Sequence, residues 1–162
     1  RSEALLHRDV DRLLESVNNS MVDLMAAEGF FATLALGRYW PEAGRLEISL
    51  AGHPPPLWIV GDHLRPVPEL RGVSLGMASA VTYGKREIRL SPGESVVFIT
   101  DGVTEAENER RELFGQQRLL EYVRKGMGPP WGTGLLDAVN AWRGGAEASD
   151  DITLLEIWRA RG

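Results

Sequence analysis

Val96-Val97-Phe98-Ile99-Thr100-Asp101-Gly102-Val103-Thr104-Glu105-Ala106 joins an apolar, β-branched run to a carboxylate and a glycine. The run reads as a buried strand, so Asp101 is expected at a strand end. A second stretch, Ser149-Asp150-Asp151-Ile152-Thr153, has the reverse order: its acids precede Ile152-Thr153-Leu154-Leu155-Glu156-Ile157-Trp158, which reads as another strand. Two strands holding carboxylates at one point suggest a divalent metal site, because hard cations select carboxylate and carbonyl oxygens. Each stretch alone has a plainer explanation, Asp101-Gly102 as a turn and Asp150-Asp151 as a loop end.

Composition narrows the classes. A chain of 162 residues with 43% hydrophobic and 25% charged residues is expected to form a single globular domain over 1–162. A formal charge of −5 gives no basic excess for nucleic acid. No apolar run approaches the roughly 20 residues a membrane-spanning helix needs. The charged N-terminus is unlike a secretory segment, so a cytoplasmic location is the default expectation. Without cysteine there are no disulfides or thiolate metal sites. His7, His53 and His63 lack zinc-ligand spacing, and no P-loop occurs. Asn18-Asn19-Ser20 matches a glycosylation pattern but falls within a helical stretch, and is read as chance.

Leu6, Val10, Leu13, Val17, Met21 and Leu24 recur every three or four residues, predicting an amphipathic helix over 2–27 that Glu28-Gly29 ends. From Phe30 the pattern changes to strands, expected at 30–40, 45–51, 56–61, 64–68, 81–90, 95–100 and 152–159. Pro41-Glu42-Ala43-Gly44 and Gly61-Asp62-His63 fit hairpin connections between antiparallel neighbours. Helices are expected over 112–125, with Leu113, Leu119, Leu120 and Val123 facing inward, and over 133–142. Gly144-Gly145-Ala146-Glu147-Ala148-Ser149 makes a flexible approach to Asp150.

The motif stretch, continued by Asn108, Glu112, Phe114-Gly115 and Arg118-Leu119, resembles the signature of bacterial phosphatases similar to stage II sporulation protein E. These are a branch of the metal-dependent, PPM-type (protein phosphatase 2C class) protein phosphatases. Phe31-Ala32-Thr33-Leu34, Ala51-Gly52-His53-Pro54-Pro55-Pro56-Leu57, Gly72-Val73-Ser74-Leu75-Gly76 and Leu90-Ser91-Pro92-Gly93-Glu94 follow the family order, and Asp150-Asp151-Ile152-Thr153-Leu154-Leu155 closes it. The resemblance spans about 30–158. It implies an α+β fold, a PPM phosphatase-like sandwich of two mainly antiparallel β-sheets flanked by helices, with its N-terminal part missing.

The resemblance further implies a serine/threonine phosphatase using Mn²⁺ or Mg²⁺ in a two-metal site. Asp101 and Asp150 would be the metal ligands, through which water attacks directly, and Gly102 would let the backbone bend close to them. Asp151 is given a structural role, as are Glu105, Asn108 and Glu112, which are expected to order a loop or a helix start. His53, followed by prolines, is expected to bond nearby backbone rather than serve as a general acid. Family substrates are phosphorylated anti-sigma-factor antagonists, and a sensor or receiver module often precedes the phosphatase. The family's earlier Asp-Val-Ser-Gly-His-Gly type motif, which supplies another metal-binding Asp, has no match here. The sequence therefore reads as the C-terminal portion of the domain, expected to hold metal weakly and turn over slowly by itself. Three explanations stay open: a shortened sequence, a missing part on residues outside this sequence, or loss of that half of the site. The competing reading is a noncatalytic regulatory or docking module. A different metal phosphoesterase would need more His or Asp ligands than the chain has. Unpaired sheet edges lead to the expectation of a homodimer.

Overall fold

The computed structural model describes residues 9–70, 72–126 and 128–161. The chain divides into two compact units, one of residues 1–55 and 67–89 and the other of residues 56–66 and 90–162.

The first unit holds helix α1 (Val10–Glu28) and an antiparallel sheet of order β1-β2-β5, from strands β1 (Leu34–Trp40), β2 (Arg45–Ala51) and β5 (Arg86–Arg89). Strand β2 has the bounds read from its alternation. Its Leu46, Ile48 and Leu50 are buried, and it pairs with β1 from Leu34↔Ala51 to Trp40↔Arg45. The expected Pro41–Gly44 hairpin joins them, with the Gly44 amide donating to the Pro41 carbonyl at 3.1 Å. Strand β5 is shorter than the expected 81–90, because the preceding backbone bonds elsewhere: the Tyr83 amide donates to Glu15 Oε1 at 3.3 Å. Strand β1 starts at Leu34 rather than 30, after an isolated bridge between Ala32 and Leu75.

Helix α1 ends where expected. Gly29, at φ 72°, donates to the Ala26 carbonyl, and the Phe30 amide to that of Met25, closing the helix with a left-handed residue. The expected residues 2–8 of this helix lie outside the described residues. The buried stripe is Val10, Leu14, Asn18 and Met25, whereas the expected Met21 and Leu24 are exposed. Leu14 and Met25 pack with Ala51, Leu75 and Tyr83. Asn18 belongs to this face because its amide is satisfied twice, Nδ2 donating to the Ala78 carbonyl at 2.9 Å and Oδ1 accepting from the Gly76 amide at 3.1 Å.

The second unit carries a sheet of order β4-β3-β6-β7, from β3 (Leu57–Val60), β4 (His63–Arg65), β6 (Glu94–Ile99) and β7 (Leu154–Trp158), all paired antiparallel. The Gly61–His63 hairpin is as expected. Strand β4 stops at Arg65 instead of running over 64–68, since Pro66 has no amide to continue the ladder. Every residue of β6 is buried, as its apolar run demands.

Helices α2 (Gly115–Arg124) and α3 (Trp131–Arg143) contribute Leu119, Tyr122, Val123, Trp131, Leu135 and Val139 to a core shared with Ile59, Val97 and Ile99. The inward face of α2 differs from expectation at two places: Leu113 precedes the helix and is exposed, as is Leu120, while Tyr122 is buried and donates to the Trp131 carbonyl at 3.2 Å. Glu156 on β7 ties strand to helix, accepting from Ser95 Oγ at 3.0 Å and from the Gly132 amide at the start of α3 at 3.1 Å. Among the described residues no helix is long and apolar enough to cross a membrane.

Candidate functional site

Antiparallel pairing of β6 with β7 runs from Ser95↔Trp158 to Ile99↔Leu154. The segment leaving β6 therefore lies beside the segment entering β7, and the two acidic motifs meet at one sheet end. The pairing continues past the strands: the Thr100 amide donates to the Thr153 carbonyl at 3.1 Å, while Thr100 Oγ1 donates to the Asp151 carbonyl at 3.2 Å and accepts from the Thr153 amide at 3.0 Å.

Asp101 opens a 3₁₀ turn, Asp101–Val103, whose last two residues are buried. The Asp101 carbonyl accepts from the Glu105 amide at 2.8 Å and from Thr104 Oγ1 at 3.1 Å. Gly102 abuts the opposite segment, where an added Cβ would lie 2.5 Å from the Asp151 carbonyl oxygen. A side chain at this position would push the two motifs apart.

Both Asp101 and Asp150 are exposed, and each fixes one carboxylate oxygen on the next backbone amide: Gly102 N donates to Asp101 Oδ1 at 3.1 Å and Asp151 N to Asp150 Oδ1 at 2.7 Å. The second oxygen of each has no hydrogen-bond partner among the described residues. In kind, these donors suit a hard divalent cation. In number they fall short of a self-contained centre, since no group of three or more His, Asp or Glu side chains able to hold a metal occurs among the described residues.

Other motif residues build the loop that carries Asp101. Asn108 is its pin: Oδ1 accepts from the amides of Arg110 at 2.9 Å and Glu112 at 3.0 Å, and Nδ2 donates to Glu112 Oε2 at 2.7 Å. The loop closes through Phe114 N to Ala106 O and Gly115 N to Thr104 O, both at 2.8 Å. This is the ordering role expected of Asn108 and Glu112.

Further supports come from Arg118 of the motif and from residues outside it. Arg118 lies 3.6 Å over the Trp142 ring and donates to the Leu113 and Phe114 carbonyls, and Trp142 Nε1 donates to the Glu112 carbonyl at 3.2 Å. Glu109 Oε1 accepts from the Gly145 amide at 3.1 Å, fastening the approach to Asp150 onto the Asp101 loop. A polar cavity of ≈ 410 Å³ lies between these loops, lined by Glu107, Asn108, Glu109, Arg111 and residues 146–149. His53 belongs to the first unit, with Nδ1 2.8 Å from the Pro54 carbonyl, the local backbone contact expected of it.

The family model of stage II sporulation protein E (SpoIIE) matches residues 1–159. The chain belongs to this family of PPM-type phosphatases. Protein IcfG of Synechocystis sp. is 30% identical over 133 residues, covering 80% of this chain and 21% of IcfG. Among solved structures, the SiaA-PP2C domain of Pseudomonas aeruginosa has a TM-score of 0.75 at 22% identity, covering 98% of this SpoIIE-family chain and 64% of that one. The RsbU and RsbW domains of Rv1364c from Mycobacterium tuberculosis give 0.71 at 23%, covering 99% and 44%. The α+β fold with two antiparallel sheets is thus the fold of PP2C-type phosphatase domains. The SpoIIE-family chain spans about a fifth of the length of IcfG.

Proposed function

We propose that this chain is the C-terminal part of a PPM-type phosphatase domain that hydrolyses phosphoserine or phosphothreonine on a regulatory protein, an anti-sigma-factor antagonist in a partner-switching pathway. The RsbU and RsbW domains in the Rv1364c structure support that substrate class. The observation that carries the enzymatic reading is the contact at Gly102, which holds the Asp101 and Asp150-Asp151 motifs together at one strand end.

Asp101 and Asp150 would hold Mn²⁺ or Mg²⁺ through their unengaged oxygens, with the remaining ligands supplied by the domain's other acidic motif. A bound metal pair supplies positive charge for the phosphoryl oxygens and lowers the pKa of an attacking water. The chain's contribution is positional. Gly102 N and Asp151 N each hold one carboxylate oxygen, so the other is presented without the entropy cost of a free rotor. Thr100 fixes the spacing of the two segments.

The second reading, a noncatalytic docking module, is favoured by the shortage of ligands among the described residues. Mn²⁺-dependent phosphate release from a phosphoserine peptide separates them. The complete protein should turn over and its Asp101→Asn variant should not; a complete protein that is inert with Mn²⁺ and Mg²⁺, yet still signals in cells, would establish the docking reading.

A further inference from the structure

At the other end of the same sheet, three cations surround a cavity of ≈ 370 Å³. Arg124 and Lys125 come from the end of α2 and Arg161 from the segment after β7. Their side chains have no acidic partner among the described residues, in a protein whose net charge is −5. Basic residues closing a helix complement its dipole, which accounts for Arg124 and Lys125. That does not account for Arg161, which belongs to another element yet reaches the same cavity. Gly93, at φ 89°, makes room for it: a Cβ there would lie 2.6 Å from Arg161 Nε. Asp62, the acid on the described lining, is already in contact with His63 Nδ1.

We propose that this cavity is a binding site for a phosphate-class oxyanion, free or carried as a phosphomonoester, separate from the Asp101–Asp150 end. Two guanidiniums and an ammonium against the one carboxylate of Asp62 leave the lining net positive, and guanidinium is the side-chain group best suited to a phosphate oxyanion. The volume exceeds a bare phosphate and falls in the range of about 300–1,000 Å³ typical of small-ligand pockets. The six residues of β6 separate the two ends by roughly 20 Å at the usual strand rise, so the ligand would not meet the metal ligands.

The test is a titration of the protein with inorganic phosphate and, separately, O-phosphoserine, in EDTA, followed by the amide shifts of Gly61, Gly93 and Gly126. Saturable shifts at these amides are expected, weakened about tenfold by Arg161→Gln and similarly by Arg124→Gln, as loss of a charge-assisted hydrogen bond dictates. Tighter binding of O-phosphoserine than of phosphate would assign the site to an ester-borne group, and the reverse to the free ion. Arg161→Lys, which keeps the charge but not the fork, should give an intermediate loss and guards against a fold-wide effect. Shifts that fail to saturate, that chloride reproduces at equal ionic strength, or that Arg161→Gln leaves unchanged would overturn the proposal.

Discussion

Gly102 and Asp151 approach so closely that a Cβ on the first would lie 2.5 Å from the carbonyl oxygen of the second and 3.2 Å from its carbonyl carbon. Both contact atoms are backbone, so the strain cannot be relieved by a rotamer change. Gly102→Ala should destabilise the protein by about 1–3 kcal/mol, as overpacking does. In the complete protein it should also lower metal-dependent turnover more than its stability loss explains. Urea unfolding and phosphate release measured together check this, and an Ala variant with wild-type values in both would remove the steric argument.

Asp101 and Asp150 each have one carboxylate oxygen fixed on the next amide, whereas the exposed Asp151 carboxylate has no such bond among the described residues and its backbone serves Thr100 and Asp150 instead. In the complete protein, Asp101→Asn and Asp150→Asn should each reduce Mn²⁺-dependent turnover at least about a hundredfold, since a lost ligand removes several kcal/mol of charge stabilisation. Asp151→Asn, whose backbone contacts persist, should cost less than about tenfold. Added EDTA should abolish turnover in all forms, and excess Mn²⁺ restore it in the wild type.

Asn18 is buried on a helix face otherwise made of Val10, Leu14 and Met25. It joins α1 to the 76–78 segment through a donor and an acceptor. Asn18→Ala leaves the Gly76 amide and the Ala78 carbonyl without that partner, and should cost about 2–4 kcal/mol. The urea midpoint should fall with the slope unchanged.

These residues mark what could be read before the structure was known. Strand β2, the hairpin at Pro41–Gly44 and the Gly29 helix end follow from local chemistry, and they occur where expected. The placement of Asp101 and Asp150 at one sheet end also follows, because a buried run fixes where a strand stops. The buried role of Asn18, whose Asn18-Asn19-Ser20 stretch reads only as a chance pattern, is not legible because a polar residue enters an apolar stripe only when distant backbone satisfies it. Arg118 stands in the motif, but its stack on the distant Trp142 ring is not legible there, and the partners of Glu109 and Glu156 are distant amides that no periodicity records. Leu120 looked inward by composition, but Tyr122 fills the core by donating its hydroxyl to Trp131.

Asp9, at the N-cap of α1, accepts from Lys85 Nζ at 2.7 Å. The hydrogen bond and charge of Lys85 hold the Asp9 carboxyl below its ordinary 3.8, and Asp9 holds the Lys85 ammonium above its ordinary 10.5. For Asp9 the folded value is the lower, so its contribution to stability is present above 3.8 and disappears as the pH falls through the folded value. For Lys85 the contribution is present below 10.5 and is lost as the pH rises through its folded value. Carboxyl ¹³C shifts should show Asp9 titrating low in the wild type and returning upward in Lys85→Met or in high salt. Identical titrations in wild type and Lys85→Met would mean that the pair does not persist in solution.

Arg118 joins three pieces of the candidate site's support: its guanidinium stacks on Trp142 of α3, and it donates to the Leu113 and Phe114 carbonyls that end the Asp101 loop. Both hydrogen bonds leave one nitrogen, Nη1. A lysine ammonium can serve those carbonyls but cannot lay a planar guanidinium on the ring, so Arg118→Ala should cost about 1–2 kcal/mol and Arg118→Lys about half of that. Trp142→Phe keeps a ring but loses the bond to the Glu112 carbonyl, and should cost less. Because Arg118 touches neither acid, it is a positioning residue in the proposed enzyme. Its Lys variant in the complete protein should weaken the apparent affinity for Mn²⁺ and regain turnover at saturating metal, whereas Asp101→Asn should not. Equal Mn²⁺ dependence in Arg118→Lys and wild type would show that the loop holds its shape without this clamp.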